Sequence, residues 1–403
     1  MLNSVFSSKF ITKYIHGILK HHSTKGRCHC REMSSKKTPK WMTYKEVSRE
    51  KLVTTQPGLL ETWLYGVERF GKIHISVPFS LNIESLDPHE YPEMGKLVIK
   101  MTYSPDSDSG TSEQYDNTSL TALTKLYNFD IDLSQTDNIK IFAKYNTMAR
   151  FPAVCTVQMP LNYDLDVECQ GNSTSVKNFE SDKINISTSN SLCTLHNIKG
   201  EYITVQSKDG DIICTKVIQG NINMAVTGFG SIKTDRLQGQ SIKCSVEEGN
   251  MNISSAYSTA AEFISRHGNI NLMNVHGASK IFVNHGDLVL DSLDGSLESE
   301  VRNGRTDIFI ARAEDVALKA EKGDIDIKLS EQSTSIDLEG ISVICDQKLN
   351  FIDLRKDGTE TGEKLQGNLS GTGGKIKAKT INGNITVKYM DWMESLKLQT
   401  KFE

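Results

Sequence analysis

The stretch that decides the fold is His267–Gly304, "HGNINLMNVHGASKIFVNHGDLVLDSLDGSLESEVRNG". Its glycines, Gly268, Gly277, Gly286, Gly295 and Gly304, recur every nine residues. After Gly268 come Ile270, Leu272 and Val275; after Gly286 come Leu288, Leu290 and Leu293. The template is apolar at +2, +4 and +7, with a second glycine at +9. It recurs after Gly230 (Ile232, Thr234, Leu237) and Gly374 (Ile376, Ala378, Ile381), and with one extra residue after Gly210 (Ile212, Cys214, Val217).

The intervening segments obey a second rule. Counting back from the next glycine of the first type, apolar or small residues stand at −7, −5 and −3. Examples are Ile242, Cys244 and Val246 before Gly249, and Val316, Leu318 and Ala320 before Gly323. Alternation with period two is strand geometry, and a glycine between strands supplies a sharp corner at positive φ. The first-type corners fall at Asn172, Ser191, Gly210, Gly230, Gly249, Gly268, Gly286, Gly304, Gly323, Ile341 and Gly374. As far as Ile341 the steps are 18 to 20 residues.

The expected fold is therefore all-β: a single-stranded β-solenoid of ~19-residue coils that share one core. Eleven coils spaced as neighbouring strands predict a rod roughly 50 Å long. The Asp, Asn or Ser after each corner glycine (Asp211, Asn250, Asn269, Asp287, Asp324, Asn384) is expected to bond back to the turn backbone. The step from Ile341 to Gly374 is too long, so the charged "DLRKDGTETGEK", Asp353–Lys364, reads as a loop thrown out of one coil.

The domains expected are a leader at 1–45, a β-rich N-terminal cap or small sandwich at 46–160, the solenoid at 161–390 with a loop insertion near 346–366, and a C-terminal cap at 391–403. Residues 46–160 carry strand-like runs such as "KIHISVPFSLNIESL" without the glycine beat. A capped end shields the unpaired edge of the first coil.

The 403-residue chain has a net charge of −4 and pI near 6.2, which argues against a general nucleic-acid binder. No apolar run reaches the ~18–20 residues of a membrane span. Residues 1–31 contain Lys9, Lys13, Lys20, Lys25, Arg27 and Arg31 and no acidic residue. Phe6, Phe10, Ile11, Tyr14, Ile15 and Ile18 fall near helical spacing. An amphipathic, acid-free, basic leader resembles a mitochondrial presequence, so the expected location is mitochondrial, with cytoplasmic as the alternative.

The corners "GNI", "GDI" and "GSI", and the closing "GGKIKAKTINGNITVKYMD", resemble the "putative-adhesin" domain family, a bacterial and eukaryotic family of β-strand repeats. The likeness spans about residues 160–390, and the chain resembles an uncharacterised animal member of the "family with sequence similarity" class. It implies a β-solenoid and brings no catalytic residues.

Candidate chemistry is sparse. Glu248, His267 and His285 lie one coil apart at the same corner, a possible metal column, whereas His276 belongs to the opposite corner. That slot also holds Asp209, Phe229, Asn303 and Lys322, the mixture of a solvated corner, so no metal is expected. The calcium-binding nonapeptide repeat needs GGxGxD, which is absent. Cys28-His29-Cys30 lacks a second ligand pair. Asp291, Glu298, Glu300 and Asp326, with Arg302 and Lys328, are expected outward and could pair as acid and base. Charged residues on a solvated sheet are the simpler reading. Cys193, Cys214 and Cys244 fall on inward slots. "GTGGK", Gly371–Lys375, is explained by the corner template rather than as a phosphate loop.

The sequence therefore predicts no catalytic, cofactor-binding or metal residues and no cofactor. It predicts a non-catalytic interaction or structural scaffold with an unidentified protein partner. The alternatives are a carbohydrate-active or other hydrolytic β-helix enzyme, and a cell-envelope-like adhesion protein.

Overall fold

The computed structural model describes residues 58–390, apart from 88, 90, 92–94, 104–122, 136, 147–151, 331–333, 360–361 and 370–372. The leader, Cys28-His29-Cys30 and the segment 391–403 lie outside the described residues. Within them the chain is almost entirely strand, with one short 3-10 turn at Thr124–Leu126. Twenty-three strands join one sheet of mainly parallel ladders, an all-β solenoid.

The N-terminal strands are β1 (Leu59–Gly66), β2 (Phe70–Val77), β3 (Ser80–Ser85), β4 (Lys96–Tyr103), β5 (Tyr127–Gln135), β6 (Asn138–Tyr145), β7 (Ala153–Met159) and β8 (Asn162–Cys169). The regular coils are β9 (Ser173–Ser189), β10 (Leu192–Lys208), β11 (Ile212–Phe229), β12 (Ile232–Glu248), β13 (Met251–His267), β14 (Ile270–His285), β15 (Leu288–Asn303) and β16 (Thr306–Lys322). The C-terminal strands are β17 (Ile325–Leu329), β18 (Thr334–Gly340), β19 (Ser342–Cys345), β20 (Phe351–Thr359), β21 (Gly362–Leu369), β22 (Gly374–Asn382) and β23 (Asn384–Tyr389).

Each regular coil is one strand of 16 to 18 residues rather than two. The reason is that the ladder runs on through the second corner: Gln238 pairs with Tyr257 and Gly239 with Ser258 without a break. The first half of each strand forms one face of the solenoid and the second half the other. Inward residues follow the +2, +4, +7 and −7, −5, −3 rules: Ile270, Leu272, Val275, Ile281 and Val283 are all buried on β14. On β11 the inward residue is Ile218, not Val217, because Lys216 takes a left-handed φ of 61° and displaces the frame by one. Asn178 (59°) and Asn197 (52°) make the same kink in earlier coils, where Asn tolerates it.

The corner glycines have two causes. Gly268 sits at φ 135°, and a Cβ there would lie 1.9 Å from the carbonyl oxygen of Gly249 in the coil before it. Stacking, as much as turning, excludes a side chain. The polar residue after each glycine bonds to the next coil rather than to its own turn. Asp211 Oδ1 accepts the Ser231 N–H (2.7 Å), Asn250 Oδ1 that of Asn269 (2.9 Å), Asn269 Oδ1 that of Asp287 (2.9 Å) and Asp287 Oδ1 that of Arg305 (2.8 Å). This side-chain ladder satisfies backbone donors that a turn would otherwise leave bare.

The strands β1–β7, which hold most of the described residues of the cap or sandwich expected at 46–160, do not form a separate sandwich. The first half of β9 pairs with β3 and its second half with β8, both parallel. β3 continues to β7, and β8 to β2 and then β6. Antiparallel strands then end each face: β4 and β1 beyond β7, and β5 beyond β6. One apolar core runs without interruption from Val67 to Val387.

The C-terminal end departs from the expected order. β16 is followed on the first face by β17, then β23, then β19; on the second face by β22, then β18, then β21. The late pair β22–β23 is thus threaded inside the earlier pair β18–β19. Along the first corner Gly323 is succeeded by Gly383 and then Ile341: the Gly323 N–H donates to Asn382 O, and the Ile341 N–H to Gly383 O. Gly374 is not a first-type corner; it stands at the second corner over Ala313. Accordingly Thr380 is inward and Ile381 is exposed. The segment assigned to a loop is an antiparallel hairpin, β20–β21, whose second strand lies antiparallel to β18 and buries Leu365 and Leu369.

Candidate binding surface

The chemistry proposed from the sequence maps to separate places. Glu248, His267 and His285 are in register on neighbouring coils, with the two imidazoles stacked at 5.0 Å and Asn303 Nδ2 3.3 Å from His285 Nδ1. His276 is on the opposite corner, stacked on Tyr257 at 4.6 Å and 3.3 Å from Asp294, which also holds Arg312 at 2.5 Å. Among the described residues, no three His, Cys, Asp or Glu side chains are grouped to hold a metal ion.

The carboxylates divide between faces. Asp291 and Asp326 belong to the first face; Glu298 and Glu300 to the second. Asp326 bonds Arg305, Asp307 pairs with Lys328 at 2.5 Å, Glu298 with Lys280 at 2.9 Å, and Glu300 with Arg302 at 3.5 Å. The four residues do not converge on one site. Asp291 stands apart: burial pushes its carboxyl up to about 6, with Lys328 lowering it and Asp307 raising it. Cys193, Cys214 and Cys244 are fully buried. Burial pushes the Cys193 and Cys244 thiols up to about 12 and raises Cys214 likewise, so they pack as small apolar groups rather than react.

A broad concavity lies elsewhere, along the second corner, with a volume of about 1390 Å³. Its origin is the second glycine of each coil. Gly200, Gly220, Gly239 and Ser258 stack into a floor that lacks large side chains; a Cβ on Gly220 would meet Gly200 O at 1.9 Å. The residues before and after each become walls: Lys199, Gln219, Gln238 and Tyr257 on one side, Glu201, Asn221, Gln240 and Thr259 on the other. The trench continues past Ser181 and Asn162 to Gly71 and Asn138, and so crosses β6, β2, β8 and β9 to β13.

Its amides are unusual for this chain. Elsewhere stacked amides bond one another, as in Asn197–Asn178 (3.2 Å) and Asn271–Asn252 (2.8 Å). Gln219, Gln238, Asn221 and Gln240 have no such side-chain bond among the described residues. Sequence reasoning missed this surface. The visible signal was the pair of amides around the second glycine, "QGN" at 219–221 and "QGQ" at 238–240.

The fold and surface define a β-solenoid with a trench along one corner. Residues 215–388, less than half of the chain, match the Toastrack DUF4097 family. Among solved structures, the chain is similar to a "putative adhesin" from Parabacteroides merdae at 10% identity, covering 83% of this chain and 97% of that one, TM-score 0.34. It is also similar to a "putative cell adhesion protein" from Clostridium sporogenes at 10% identity, covering 82% and 99%, TM-score 0.19.

Proposed function

We propose that this protein is a non-catalytic β-solenoid scaffold that binds an elongated protein partner along the second-corner trench. The reading rests on the continuity of that trench over successive coils and on the free amides of its walls. A repeat array offers such a surface because each coil adds the same pair of wall positions. The corner motifs, which resemble the "putative-adhesin" repeat family, support the solenoid part of this reading. The acid-free leader supports a mitochondrial location.

The test is capture by the full chain from intact mitochondria, set beside the Gln219→Ala/Gln238→Ala and Asn221→Ala/Gln240→Ala variants. The proposal expects a partner retained by the wild type and lost from both variants, each with an unchanged melting temperature. A partner set identical for all three chains would contradict it.

A further inference from the structure

The trench has two halves of different chemistry. Toward β6 its side chains include the carboxylates Asp137, Asp164, Glu180, Asp182 and Glu201. Among the described lining residues the cations there are Lys72 and Lys199, and Lys199 is 3.8 Å from Glu180. Five carboxylates against two cations leave this half acidic. Toward β13 the walls are the neutral amides described above, ending at the Tyr257 ring.

Resting on the scaffold reading, we propose that the trench takes an extended polypeptide segment bearing lysine or arginine at one end and uncharged polar residues at the other. Each half selects one end. A low-walled acidic channel concentrates cationic side chains and repels nucleic acid and acidic chains. Glutamine and asparagine carry a donor and an acceptor on one planar group, so they can pair with a peptide N–H and C=O together. The dimensions fit. The trench crosses eight strands, β6, β2, β8 and β9 to β13. Seven strand spacings at about 4.8 Å span about 34 Å. An extended chain of about ten residues covers that length.

Fluorescence anisotropy on the full chain tests it with three labelled probes: a Lys/Ser peptide of about ten residues, its Glu/Ser counterpart of equal length, and a neutral cello-oligosaccharide. The Lys/Ser peptide should bind saturably, more weakly as salt is raised, and the Glu/Ser peptide should not. Asp182→Lys/Glu201→Lys should weaken it by about tenfold or more, and Gln219→Ala/Gln238→Ala by a smaller factor. Both variants change exposed side chains, and unchanged melts show that they fold.

Equal binding of the two peptides, or binding indifferent to the charge reversal, overturns the proposal. Saturable binding of the oligosaccharide alone, abolished by Gln219→Ala/Gln238→Ala, overturns the peptide ligand class; if capture still shows a protein partner lost from the trench variants, the scaffold reading stands, and if not, the trench remains only as a carbohydrate-binding surface. If no probe binds and the trench variants also keep the full partner set in capture, both readings fall.

Discussion

Leu290 and Val289 are neighbours on β15 and face opposite ways. Leu290 is inward, between Leu272 and Ile308 of the adjoining coils; Val289 is half-buried, between Asn271 and Asp307. Leu290→Asp buries an unpaired carboxylate and should cost several kcal/mol, about 3 or more, enough to prevent soluble folding. Val289→Asp places a charge on the outer face, opposite Asp307, and should cost about 1 kcal/mol. Paired thermal melts check this, and a greater loss for Val289→Asp would put the register off by one. Asp291 gives a pH signature. Its carboxyl is raised to about 6 in the fold, chiefly by burial. The fold therefore favours the protonated form, and the stability this contributes is complete below about 4 and is lost as pH rises through 6. Asp291→Asn should melt above the wild type at pH 7.5, by the equivalent of about 1 kcal/mol after discounting for its partial exposure, and the gap should close at pH 4. An equal gap at both pH values would contradict the assignment. At this scale the inward residues were legible because alternation counted from a corner glycine fixes them. Ile218 was not, since a single left-handed residue, Lys216, shifts the count without changing composition. Thr380 was not, since Gly374 begins a second-face half-strand whose first two apolar positions fit either rule.

The elements differ in how much of their place is local. The regular coils β9–β16 stack in chain order, so the beat of the sequence is also the order in space. At each end a strand pair is threaded between others: β2–β3 between β6–β7 and β8–β9, and β22–β23 between β16–β17 and β18–β19. No local pattern encodes which coil a strand joins, so this order was invisible in the sequence. The trench was half legible: its glycine floor was counted, but its walls became a surface only once the coils were stacked. The hairpin β20–β21 covers the β18 edge, and Glu363 Oε2 accepts the Val343 N–H at 2.8 Å. Its Leu365 is 3% exposed. Leu365→Ala should cost about 2 kcal/mol or more. Deletion of Asp353–Lys364 should destabilise at least as much, by baring the edge. Denaturant titration of both variants checks this; a deletion that leaves the midpoint unchanged would restore the loop reading.

For the whole molecule, one uninterrupted core and two corners of opposite character follow from one repeat. The first corner spends its polar side chains on the neighbouring coil, leaving few groups for a ligand. The second corner, floored by small residues, keeps its amides free. Location is a separate proposal: residues 1–45 are expected to direct a fluorescent reporter to mitochondria, and a diffuse cytosolic or secretory signal would refute that. The central claim, that the second corner is the working surface, is tested most directly by hydrogen exchange of the full chain with and without its captured partner. The account predicts protection along the second corner from Asn138 through Ser181 and Gly220 to Thr259, crossing eight strands, with the first-corner residues Asn250, Asn269 and Asp287 unchanged. Protection confined to the first corner, or to a single coil, would contradict it.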